Sequence, residues 1–72
     1  MNKKVQITTD YITLGQLLKF ENVIANGSEA KAFVLNHQII VNGEASNQRG
    51  KKLYPSTVIV IDDSLFFEII KW

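Results

Sequence analysis

The dipeptide Asn42-Gly43, set directly after the β-branched run Ile39-Ile40-Val41, constrains the fold of this chain more than any other feature. A two-residue type I′ turn needs positive φ at both central positions, and Asn-Gly meets that need with little strain. Residues 39–41 are therefore predicted to be a strand that doubles back, with the largely polar stretch 44–52 as the return strand plus a loop. Tyr54-Pro55-Ser56-Thr57 reads as a turn, because proline's fixed φ suits its second position. Thr57-Val58-Ile59-Val60-Ile61 is apolar on both faces, which predicts a central strand. Asp62-Asp63-Ser64 then turns the chain into a final strand, Leu65-Phe66-Phe67-Glu68-Ile69-Ile70.

The first half keeps a different period. Lys4-Val5-Gln6-Ile7-Thr8 alternates polar and apolar, as a half-buried strand does. Thr13-Leu14-Gly15-Gln16 has the form of a capping box, and Leu14, Leu17 and Leu18 share one face of a helix predicted from about 14 to 21. Asn26-Gly27-Ser28-Glu29 repeats the pattern of a polar cap with an acid three residues on. Ala30, Phe33, Val34 and His37 follow at the spacing of a buried helical stripe, with Lys31 pointing away. The predicted order is β-α-α-β-β-β-β: an α+β domain with two short helices packed on a small, mostly antiparallel sheet.

Seventy-two residues leave room for one domain, so residues 1–72 are expected to form a single one. There is no cysteine, hence no disulfide framework and no thiolate metal site. Apolar residues at 46% and charged residues at 21% match an ordinary globular domain rather than a disordered one. Lys3 and Lys4 are not followed by the apolar region of a signal peptide, and Val58 to Ile61 is far too short to span a bilayer. A soluble cytoplasmic protein with no membrane partner is the expectation.

Eight basic side chains against seven acidic give a net charge of +1, which exerts no global pull on nucleic acid. The distribution matters more than the total. Residues 45–53 carry Arg49, Lys51 and Lys52 with no acid, whereas residues 62–72 carry Asp62, Asp63 and Glu68 against Lys71. If the start of the second helix (Gly27, Ser28, Lys31) lies beside the basic loop, its amides and the loop cations would together attract phosphate. On composition alone, a merely solvated loop is the more frequent outcome.

Gly27-Ser28-Glu29-Ala30-Lys31, then Ile40-Val41-Asn42-Gly43, a basic loop and a Pro-containing turn before a β-branched strand, stand here in a characteristic order. Over about residues 12–61 the chain resembles the S-four RNA-binding domain, named after the fourth protein of the small ribosomal subunit, with its two-helix-plus-hairpin αL motif. It is similar in particular to the small stand-alone bacterial members, the YaaA-type proteins. The resemblance implies that Lys31 and the basic residues after the hairpin turn face RNA. Carried over residue by residue, Ser28, Lys31, Arg49, Lys51 and Lys52 are the expected RNA-binding positions, joined by Gly27 for its backbone amide, while Glu29 and Ala30 cap and pack. Two departures stand out: Gly27 replaces an arginine many members have before the serine, and Pro55-Ser56-Thr57 replaces the usual Pro-Gly-Asp.

Other residues carry weaker signals. Tyr54 follows the lysines and can either stack on an unpaired base or cover the end of the core. His37 reads as a packing or capping residue, with no second histidine, cysteine or nearby carboxylate in the sequence to make a site. Asp62-Asp63 reads as a turn former. No nucleophile elbow, P-loop or dinucleotide fingerprint occurs, so neither catalytic nor metal residues nor a cofactor or small-molecule substrate is expected. The reading is a non-catalytic binder of structured RNA, ribosomal or transfer-RNA-like, in ribosome assembly or translation. The alternative is a protein-interaction adaptor using Phe66, Phe67 or Trp72 at the aromatic C-terminal strand.

Overall fold

A computed structural model of the chain describes residues 2–71. The expected α+β order is present, with additions. Strand β1 (Asn2–Ile7) leads to a short strand β2 (Ile12–Thr13), helix α1 (Leu14–Phe20), a 3-10 turn (Gly27–Glu29) and helix α2 (Ala30–Asn36). Strands β3 (Ile39–Val41), β4 (Glu44–Ala45), β5 (Lys52–Leu53), β6 (Val58–Ile61) and β7 (Leu65–Lys71) follow. Five of them form one sheet in the order β1-β7-β6-β3-β4, and β2 pairs with β5 in a separate ribbon. All pairings are antiparallel except that of β1 with β7.

Both capping boxes form. Thr13 Oγ1 accepts from the Gln16 amide while Gln16 Oε1 accepts from the Thr13 amide, at 3.2 and 2.9 Å. Leu14, Leu17 and Leu18 are thereby aimed at the sheet and are fully buried. They meet Ala30 and Val34 of α2, Ile39 and Val41 of β3, Ile59 and Ile61 of β6, and Phe67 and Ile69 of β7, with Val5, Ile7, Ile24 and Leu53 completing the core. Strand β6 does lie centrally, third of five. It is covered on one face only: Ile59 and Ile61 are buried, whereas Val58 on the opposite face is 42% exposed. Its two-sided apolarity therefore exceeds what packing demands, because both helices lie against the same face.

The turns follow their residues. Asn42 (φ 49°) and Gly43 (φ 85°) make the two-residue turn, with Val41 paired to Glu44. Asn42 also ties the turn to the sheet centre, its side-chain oxygen accepting from the Val58 amide at 2.9 Å. In the proline turn the Thr57 amide donates to Tyr54 O at 3.0 Å and Ser56 has φ 75°, the geometry of a type II turn.

Candidate nucleic-acid interface

Three elements meet at Gly15. The Gly15 amide donates to Arg49 O at 2.8 Å and the Leu14 amide to Lys51 O at 2.9 Å, so carbonyls of the basic loop satisfy the open N-terminal amides of α1. A Cβ at position 15 would stand 3.3 Å from Arg49 O and 3.4 Å from the Ala30 methyl. Only a residue without a side chain lets α1, α2 and the loop close this tightly. The loop's backbone is thus pinned, and its side chains turn outward: Arg49, Lys51 and Lys52 are all exposed.

The loop separates two grooves. One is lined by the cap residue Thr13, by Gly15, Gln16 and Lys19 of α1, by Gly27 and Ala30 of the 3-10 turn and α2, and by Arg49 with Gly50. The helix-two start therefore does lie beside the loop, through Gly27 and Arg49. The other groove runs along the hairpin and is lined by Ser46, Asn47, Gln48, Lys51, Lys52 and Tyr54, with Glu44 as its one acid. Among the described residues Lys19, Lys31, Arg49, Lys51 and Lys52 form no ion pair, whereas Lys3 and Lys71 are matched to Glu21 (2.8 Å) and Asp10 (3.3 Å). The cations around the loop thus have no carboxylate partner among the described residues.

Not every expected residue sits there in the same way. Ser28 is turned into the cap of its own helical segment: its amide and its hydroxyl both donate to Asn26 Oδ1, the amide at 3.2 Å. Glu29 closes that cap by accepting from the Ala25 and Asn26 amides at 3.2 and 3.3 Å. Lys31 is exposed on α2 one residue past Ala30 and lines neither groove. Phe67 belongs to the core at 7% exposure and is closed to any partner, Phe66 is half-buried on the opposite sheet face, and Trp72 lies outside the described residues.

Sequence reasoning missed Lys19 and Tyr11. Lys19 was legible in principle, since it stands three and four residues after Gln16 and Gly15 on the side of α1 away from the leucines. Tyr11 precedes a two-residue strand and carries no periodic signal. In the structure its ring lies 5.6 Å from that of Tyr54, tilted by 50°, and Lys52 Nζ stands 5.1 Å from its centroid.

His37 caps α2 and packs on it, as its residue type suggested, but two features differ from expectation. It does not extend the buried stripe: the helix ends before it (φ −128°, ψ 152°), and its exposed ring stacks on Phe33 with centroids 4.0 Å apart. The carboxylate absent from its sequence neighbourhood arrives from the β6–β7 turn, with His37 Nδ1 2.6 Å from Asp62 Oδ2. Asp62 also accepts from the Gln38 amide at 2.9 Å. The hydrogen bond from His37, then that from Gln38, hold the Asp62 carboxyl below the usual carboxylate range. Asp62 is thus more than a turn former. Ser28 belongs to the 3-10 turn before α2, where its hydroxyl donates to Asn26, whereas His37 follows the opposite end of that helix, so Ser28 is not assembled with His37 and Asp62.

The family model of the S4 domain matches residues 5–69. The chain belongs to the S4 domain family. Within it, a probable ribosome maturation protein, RlbA of Bacillus subtilis, is 41% identical over 70 residues, covering 97% of this chain and 99% of that protein. The S4 domain match spans β1 to β7 and therefore includes the parallel strand pair as well as the helices and the hairpin loop. No helix among the described residues is long and apolar enough to cross a membrane.

Proposed function

We propose that this S4 domain is a non-catalytic RNA-binding protein of the cytoplasm that grips structured ribosomal RNA during ribosome maturation. The observation that carries the reading is the pinned loop 46–52. Its carbonyls are anchored on α1 while unpaired Lys19, Arg49, Lys51 and Lys52 flank it on both sides. Cations on a fixed backbone can meet successive phosphates without paying the ordering cost of a mobile loop. Such contacts orient the protein on an RNA surface and carry little base information. Lys31, exposed on α2 but lining neither groove, stands outside this cluster. The relative named as a ribosome maturation protein supports the ribosomal setting.

About four phosphates engaged would give a slope of log affinity against log salt of roughly −3 to −4, a loss of about a hundredfold between 50 and 200 mM. Titration of a structured ribosomal RNA fragment across salt measures the slope. The Lys51→Glu/Lys52→Glu protein should bind tenfold or more weakly with a slope flatter by about 2. Equal affinity and slope for the two proteins would remove the loop from the interface.

A further inference from the structure

Phosphate neutralisation does not account for the aromatic pair beside the loop. Tyr54 is 51% exposed and Tyr11 38% exposed, among the few large apolar side chains that the fold leaves in solvent. Neither is loose. Tyr11 and Tyr54 flank the paired β2–β5 ribbon, where Ile12 opposes Leu53, and Pro55 fixes the backbone immediately after Tyr54. The rings touch at 5.6 Å, and Lys52 occupies Tyr11 rather than Tyr54. Tyr54 instead lines the hairpin groove, about 390 Å³ in volume, together with Lys51, Asn47 and Gln48. The side-chain amides of Asn47 and Gln48 make no hydrogen bond to another described residue and are available as donors and acceptors.

This is a planar ring held in advance, a cation for the adjoining phosphate, and two amides at the rim. We propose that the hairpin groove takes one unpaired nucleotide of the bound RNA, its base stacked on Tyr54, with Tyr11 and Lys52 bracing the platform. The proposal rests on the RNA-binding reading above and adds what it lacks, a preference for a bulged or looped-out base over continuous duplex. The chemistry fits the ligand: an extruded base offers a π-face to aromatics and free edges to amides, while a stacked and paired base offers neither. Lys52 is shared between the two roles, since its ammonium stands over Tyr11 and the residue also lines the groove. Because the two rings and the ribbon are in place before binding, stacking costs little side-chain entropy.

The test compares two RNA hairpins with the same stem, one fully paired and one carrying a single bulged purine, the latter also made with 2-aminopurine at the bulge. The full chain is expected to bind the bulged hairpin at least fivefold more tightly, the lower end for one base–aromatic stack, and to quench the 2-aminopurine. Tyr54→Ala should erase both the preference and the quenching, while Tyr54→Phe keeps both. Far-UV circular dichroism of the variants controls for folding. Wild-type protein that binds both hairpins equally with a salt slope near −3 overturns the base platform and leaves RNA binding intact. A Tyr54→Ala protein that keeps the preference overturns it as well. Binding to neither hairpin overturns both this inference and the reading on which it rests.

Discussion

Ser56 sits at φ 75° in the third position of the Tyr54–Thr57 turn, where glycine is the residue with least strain. Its amide donates to Ile69 O at 2.7 Å, so the turn is locked to β7 and cannot relax into another type. An L-residue in the left-handed region costs about 1–2 kcal/mol, and glycine recovers most of that at the expense of unfolded-state entropy. Ser56→Gly is therefore expected to stabilise the protein by about 0.5–1 kcal/mol, read as a higher urea midpoint with an unchanged m value. The departure from Pro-Gly-Asp in this chain thus leaves the turn in place and strains it. Ser28 shows the complementary case, where a residue expected to face a ligand has its amide and hydroxyl proton directed to Asn26.

The elements around the site depend on how closely α1, α2 and the 46–52 loop approach. Gly15 is the point of closest contact, with Arg49 O and Ala30 Cβ both within 3.4 Å of where a Cβ would sit. A branched side chain there has to push the loop off the helix. Gly15→Val is expected to cost about 1–3 kcal/mol through overpacking, visible as a lower thermal midpoint, and to weaken RNA binding by displacing Arg49. Most elements were legible in the residues: both capping boxes, the Asn42-Gly43 hairpin and the apolar runs that became β6 and β7. What escaped was non-local. Strands β2 and β5 have two residues each, too few to show a period, yet their pairing sets Tyr11 beside Tyr54. The His37–Asp62 contact joins residues 25 apart and leaves no mark in either neighbourhood. The basic loop was legible as charge, but its anchorage on α1 runs through backbone carbonyls, which no residue type announces.

At the scale of the molecule, a net charge of +1 conceals four unpaired cations around one loop, so a local field does what the total charge does not. The remaining feature with reach is the parallel pairing of β1 with β7. Every partner in it is 64 residues away along the chain, from Asn2 with Phe66 to Ile7 with Lys71. Closing so long a loop costs entropy that local hairpins and capped helices do not pay, so this pairing forms late. Val5 is 1% exposed within it, opposite Ile69. Val5→Ala should cost about 2 kcal/mol and, in stopped-flow chevrons, speed unfolding some thirtyfold while leaving the folding rate nearly unchanged. During synthesis the helices and the Asn42-Gly43 hairpin can assemble as they emerge, whereas β1, made first, must wait for nearly the whole of β7. The first-made strand of the domain is thus the last to find its partner, and until then Val5 and Ile7, buried in the finished sheet, stay open to water.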